Sequence, residues 1–242
     1  MNPIIFKNIT HSFDKVSVIS NFSIEIEENF ITSIIGKSGA GKSTLLQMIN
    51  GLILPDSGDV LIFGEKINYD NIQELRLNIG YSVQGTCLFP HMNVYDNISL
   101  PAKIKKNDDV QIKMRIELLM ELVGLPGDFK KKFPYQLSGG EQQRVGLCRA
   151  MLLNPKIFLL DEAFGALDSI TRHEIHKELL KLQKFEPRTI VMVTHDLQEA
   201  LYLSDKILIL DKGITQQYGN KNEILNNPKN NFVKDFVNSV LN

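Results

Sequence analysis

The sequence of 242 residues has little of what marks a secreted, membrane-embedded or nucleic-acid-binding chain. Its two cysteines, Cys87 and Cys148, form no framework of paired spacings. That excludes a disulfide scaffold and points to free thiols in a reducing compartment. No apolar run approaches the roughly 18 residues of a membrane-spanning helix, and stretches such as Ile190–Val193 fit buried strands. The first residues, MNPIIFKN, lack a charged leader followed by a long apolar core, so no signal peptide is expected. Charge of one sign is also missing: 27 Lys and Arg face 28 Asp and Glu, a formal net charge of -1. That balance speaks against a dedicated DNA or RNA binder, which carries an overall basic excess. There is no internal repeat and no low-complexity segment. A cytosolic chain is expected, with any link to a membrane made through a partner.

What is present reads as alternating strands and helices. Short strands are expected at Ile4–Phe6, Phe22–Ile26 and Phe30–Ile35. Ile24 and Ile26 alternate with Glu25 and Glu27, the period of a half-buried strand. A helix over Ser43–Ile49 precedes strands at Val60–Phe63 and Ile79–Val83. From about Gly85 to Asn154 helical patterns dominate, as at Ile112–Val123 and Glu141–Leu153. Alternation then resumes: strand Ile157–Leu160, helix Ile170–Lys184, strand Thr189–Val193, helix Leu197–Leu201, strand Ile207–Leu210. Such alternation means an α/β chain with a parallel sheet covered by helices. A helical block interrupting it reads as an insertion. One domain is expected: residues 1–84 and 155–220 as a core with a β part, 85–154 as a helical lobe, and 221–242 as C-terminal amphipathic helices packed on the parent domain.

Residues Gly36, Lys37, Ser38, Gly39, Ala40, Gly41, Lys42 and Ser43 match G-x-x-x-x-G-K-[ST] between an expected strand and an expected helix. Glycines let backbone N–H groups turn inward around phosphate oxygens, and the following helix N-terminus adds donors and a positive dipole end. Lys42 can reach the β- and γ-phosphates, and the Ser43 hydroxyl can bind Mg²⁺. The loop alone says only that the chain binds a nucleoside triphosphate.

Ile157-Phe158-Leu159-Leu160-Asp161-Glu162 is an apolar strand ending in two carboxylates. Ligands of open α/β sheets bind at that edge. Asp161 can hold Mg²⁺ through water, and Glu162 can take a proton from an attacking water. His195 follows the strand Thr189–Val193 in the same way and can donate to a γ-phosphate. Gln84 ends Ile79–Val83; it is either a Mg²⁺ or water ligand or a polar strand cap.

Leu137-Ser138-Gly139-Gly140-Glu141-Gln142-Gln143-Arg144 opens an expected helix. Ser138, with Glu141 three residues on, has the capping-box pattern. The hydroxyl, the glycine N–H groups and the helix N-terminus also make a second anion site. With this run the whole chain resembles the ABC ATPase family, every motif in order. The resemblance implies a P-loop core with an N-terminal antiparallel β subdomain and an inserted α-helical subdomain. It implies ATP hydrolysis with Mg²⁺, Phe13 stacking on adenine, and Gly36–Ser43 with Thr44 as the Walker A loop. Gln84 becomes the Q-loop residue, Asp161 and Glu162 the Walker B pair, Asp168 the D-loop aspartate and His195 the switch histidine. It also implies a head-to-tail homodimer, in which Ser138, Gly139 and Gly140 of one copy face the ATP held by the other.

Three positions depart from the usual family pattern: Ala163 replaces Pro after Glu162, Glu141 replaces the commoner Gln, and Gly165 stands where many members have Ser. The runs Leu88-Phe89-Pro90-His91-Met92-Asn93-Val94, Ala163–Asp168 and His195–Leu201 are similar to ATPases of bacterial uptake systems for glycine betaine and choline. They are also similar to the nitrate, sulfonate and taurine group. The likeness implies two membrane-spanning permease subunits, an extracytoplasmic substrate-binding protein, and a place on the cytoplasmic face of the inner membrane. Leu88, Phe89 and Met92 are either a docking surface for the permeases or ordinary core. Lys103–Lys106 and Lys130–Lys132 read as solvated faces, and His173 and His176 as surface residues. Two-cassette or coiled-coil soluble ABC ATPases, and P-loop kinases with an acceptor site, leave marks that this sequence lacks.

Overall fold

The computed structural model describes residues 2–83, 85, 87–106 and 109–241. In chain order the strands and helices are β1 (Ile4–Phe13), β2 (Val16–Ile26), β3 (Ile31–Ile35), α1 (Lys42–Ile49), β4 (Ser57–Ile62), β5 (Glu65–Lys66) and α2 (Ile72–Leu77). Next come β6 (Ile79–Ser82), α3 (Val94–Lys105), α4 (Asp109–Leu122), α5 (Gly139–Met151), β7 (Ile157–Asp161) and α6 (Ser169–Phe185). The chain closes with β8 (Thr189–Val193), α7 (Leu197–Leu203), β9 (Lys206–Asp211), β10 (Ile214–Gly219), α8 (Lys221–Asn226) and α9 (Asn231–Leu241). Among the described residues no helix is long and apolar enough to cross a membrane.

The chain divides into two compact units, residues 1–76 with 188–242, and residues 77–187. The first holds an antiparallel sheet in the order β2-β1-β4-β5. Its register pairs Ile4 with both Ile26 and Ile62. Period-2 alternation sends Ile4, Phe6, Phe22 and Ile26 inward, with Phe6 and Phe22 edge to face at 5.3 Å. The expected alternation at Phe22–Ile26 is present, and β1 and β2 run longer than the short apolar segments expected.

The same unit holds β10-β9-β3-β8, with β3 parallel to β8 and β9, and β10 antiparallel to β9. Every residue of β3 and β8 is buried, as expected for strands covered on both faces. Helices α7, α8 and α9 close one face through Ile35, Leu197, Ile207, Ile224 and Val233, each 0% exposed. The apolar stripe of the C-terminal segment is therefore core.

In the second unit β6 and β7 pair in parallel, Ile79 with Ile157 through Ser82 with Leu160. Its helices α3, α4 and α5 bury Val94, Ile98, Ile116, Val145 and Cys148. The Cys148 thiol is pushed far up by burial, and neither Cys87 nor Cys148 is in a disulfide.

Candidate active site

In the first unit the phosphate-binding sequence starts where β3 stops. Ile34 of β3 stands beside Val193 of β8 in parallel register. Gly36 and His195 therefore each leave the same sheet edge two residues later, and His195 is exposed there. Gly36 is required by a close approach: a Cβ there would overlap the carbonyl oxygen of Leu210. Gly41, at φ 98°, takes the left-handed conformation that turns the loop into α1. No side chain caps α1, which leaves its first-turn N–H groups to an anion. Lys42 is 7% exposed and its Nζ donates to the carbonyls of Gly36 at 2.9 Å and Lys37 at 3.0 Å. Its ammonium thus lies against the loop that the phosphates would enter. Lys37, Ser38 and Gly39 are exposed, while Ser43 and Thr44 are half-buried in the first turn of α1. The amide of Gly213 donates to Ala40 O at 3.0 Å, and Ser20 N donates to Gly213 O at 3.3 Å. The β9–β10 hairpin thereby anchors both the loop and β2. These residues fit a nucleoside triphosphate: inward donors, a buried cation and a hydroxyl at the helix start.

Phe13 ends β1 and is 47% exposed, a free aromatic face on the same unit. The ring of His11 meets it edge to face at 4.7 Å. His11 Nδ1 lies 3.2 Å from one oxygen of Asp56, whose other oxygen accepts from Ser12 N at 2.8 Å. His11 and Asp56 escape a sequence reading because 45 positions of chain separate them; only the β1–β4 sheet brings them together.

In the second unit β7 delivers Asp161, 3% exposed, to its C-terminal end. Tyr81 OH donates to Asp161 Oδ2 at 3.4 Å. Glu162 is half-buried and has φ 48°, in the left-handed region. That region is sparsely populated for a residue with a Cβ, and such conformations persist at sites where neighbours over-determine them. Gly165 N donates back to Glu162 O at 3.2 Å, closing a turn, while Ala163 and Phe164 are buried. Asp168 caps α6: its Oδ1 accepts from Ile170 N at 3.1 Å and Thr171 N at 3.0 Å. Those backbone donors, Thr171 first, hold its carboxyl below the usual range. Gln84 lies outside the described residues.

The capping box at α5 is present. Glu141 N donates to Ser138 Oγ at 3.3 Å, and Ser138 N donates to Glu141 Oε2 at 2.6 Å. Glu141 is thus a charged cap, its carboxyl lowered chiefly by the Ser138 N–H. Ser138 and Gly139 are exposed at the helix start, as an anion site requires. Gln143 has no role of its own in the sequence beyond its place in the Leu137–Arg144 run. It is 4% exposed and bonds to the turn after β7, donating to Glu162 O at 3.2 Å and accepting from Ala166 N at 3.1 Å.

His176 corrects the sequence reading: it is not a surface residue. It is 5% exposed, and its ring packs edge-on against Phe164 at 4.7 Å. It lies beside Ile175 and one turn from Leu179, the other buried residues of α6, while His173 is exposed. Leu88 and Met92 are half-buried and Phe89 is 41% exposed. Asn97, 0% exposed, pins that loop: it accepts from Phe89 N and donates to the carbonyls of Phe89, Met92 and Asn93. Lys103 pairs with Asp96 at 2.6 Å and Lys130 with Glu117 at 2.7 Å, on exposed or half-buried faces.

The family model described as ABC transporter matches residues 19–165. The glycine betaine uptake system ATP-binding protein YehX of Escherichia coli is 40% identical over 96% of this chain and 75% of its own length. The glycine betaine/carnitine/choline transport ATP-binding protein OpuCA of Bacillus subtilis is 44% identical over 90% of this chain. The chain spans 58% of that relative's length. Among solved structures, a dimeric bacterial ABC transporter cassette is 33% identical with a TM-score of 0.85, covering 90% of this chain and 98% of that one. Another, a post-hydrolysis dimer bound to ADP and Pi, gives 32% and 0.84 over the same shares. By sequence and by fold the chain is thus an ATP-binding, ATP-hydrolysing cassette, and it belongs to the ABC transporter family.

Proposed function

We propose that the chain is the ATPase subunit of an importer for quaternary-amine osmoprotectants, glycine betaine and choline foremost. The observation that carries the substrate class is likeness. YehX, OpuCA and a choline transport ATP-binding protein of Bacillus subtilis share 40–44% identity with this chain. Importer ATPases named for sulfate/thiosulfate and spermidine/putrescine reach 40% and 42%, so anion and polyamine uptake are the next arms of a test.

In the proposed reaction Lys42 and the α1 N–H groups bind the β- and γ-phosphates while Phe13 stacks on adenine. Ser43, Gln84 and Asp161 would hold Mg²⁺, which would neutralise charge on the phosphate oxygens. Glu162 accepts the proton of the water that attacks the γ-phosphorus, and ADP leaves. His195 donates to the γ-phosphate. Two copies pair head to tail, with Ser138, Gly139 and Gly140 of one facing the γ-phosphate on Lys42 of the other, and Asp168 beside them. The pair docks on two permease subunits through Leu88, Phe89 and Met92 at the cytoplasmic face of the membrane, and a substrate-binding protein delivers the amine outside. The test is uptake of labelled glycine betaine and choline in cells carrying wild type or Lys42→Ala as the sole copy. Loss of uptake supports the reading; unchanged uptake of both, with hydrolysis intact in the purified wild type, rejects the substrate class.

A further inference from the structure

The buried amide of Gln143 has a use that packing does not supply. A side-chain amide taken from water is unfavourable unless both its polar atoms find partners. Leu or Met would fill the same space without that demand. Gln143 satisfies both atoms on the backbone of a single turn: Nε2 on the Glu162 carbonyl at 3.2 Å, and Oε1 on the Ala166 N–H at 3.1 Å. These are the two ends of the turn that carries Glu162 in its left-handed conformation at φ 48°. That turn is also held by the Gly165-to-Glu162 and Leu167-to-Phe164 backbone bonds and by the edge-on packing of Phe164 on His176. Residue 163 is Ala, with no ring to limit its own φ. Gln143 sits on α5, whose first turn is fixed by the Ser138–Glu141 box.

We propose that Gln143 is a positioning residue for ATP hydrolysis: its amide bridges both ends of the Glu162–Ala166 turn and so fixes the direction in which the Glu162 carboxylate points. The proposal rests on the role given to Glu162 above. It makes the α5 helix, capped by Ser138, the support of this chain's own catalytic turn.

The experiment measures ATP turnover and ATP affinity of the full chain for wild type, Gln143→Met, Gln143→Glu and Glu162→Gln. Gln143→Met keeps the shape and removes both bonds. It should lower kcat about 10–100-fold, the scale of a misplaced reacting group, with ATP affinity within about two-fold of wild type. Gln143→Glu restores both bonds in its neutral form, an O–H to Glu162 O and a carbonyl for Ala166 N–H. Burial disfavours its charged form, so its kcat relative to wild type should rise as pH falls from about 8 to about 6. A role in packing alone predicts no such rise. If Gln143→Met does not fold, the pH dependence of Gln143→Glu decides. A kcat for Gln143→Met within about two-fold of wild type, or a flat pH ratio for Gln143→Glu at a kcat well below wild type, overturns the proposal while Glu162→Gln is inactive. Full turnover in Glu162→Gln instead removes the role of Glu162, and the positioning role with it.

Discussion

Replacing Asn97 by Leu should loosen the 89–93 loop without touching the nucleotide-binding residues. Asn97 is 0% exposed and its amide makes four hydrogen bonds to that loop. Two of its partners keep a second bond: Phe89 O accepts from Met92 N, and Asn93 O accepts from Asn97 N. The Phe89 N–H and the Met92 carbonyl lose the partner that Asn97 provides. A buried polar group left unpaired costs about 1–3 kcal/mol. Phe89 is 41% exposed, so water reaches part of this loop. The lower half of the range then applies to the two groups, and the loss of stability is about 2–4 kcal/mol. Urea denaturation of Asn97→Leu gives the number, and amide exchange at Phe89 should speed up while exchange in β3 and β8 stays unchanged. ATP affinity should hold and assembly with the permeases should weaken. A stability change under about 0.5 kcal/mol with Phe89 still protected would refute the reasoning.

Three further outcomes are expected. Gly36→Ala sets a Cβ against the Leu210 carbonyl and should cost about 1–3 kcal/mol, the scale of overpacking, read as a lower thermal midpoint. Glu141 is held below its ordinary value in the fold; its stabilisation is complete above the unfolded-chain value and is lost as pH falls through the folded one. Glu141→Gln should therefore lower stability at neutral pH, leave acid pH little changed and so flatten the acid limb, as urea midpoints over that range would show. Leu88→Asp or Met92→Asp should block capture of the chain by its permease subunits while leaving ATP binding intact, measured by co-purification from membranes.

Much of this was legible in the sequence because it is local. The phosphate loop and the Ser138 capping box declare themselves within eight residues, where spacing and chemistry coincide. The strand ending in Asp161 and Glu162 is legible for the same reason. What escaped depends on the fold. Strand β10, Ile214–Gly219, is too polar to show a core period. Helix α3 contains Pro101, which a sequence reading treats as a break. Gln143 and Glu162 are joined across 19 positions and His11 and Asp56 across 45, distances at which no periodicity speaks. The left-handed backbone of Glu162 leaves no mark, because glutamate is not a residue expected there. His176 misled because a histidine near lysines and glutamates reads as solvent-facing, whereas its neighbours Ile175 and Leu179 turn that side of α6 inward.

The most direct test of the central claim is ATP hydrolysis by an equal mixture of Ser138→Arg and Lys42→Ala chains. Each variant alone should be inactive, since every paired site would lack either its signature or its cradle. On mixing, half the pairs regain one sound site, and activity should return to at most about a quarter of wild type. Wild-type turnover by either variant alone, or by the mixture, would contradict a site shared between two copies of this chain.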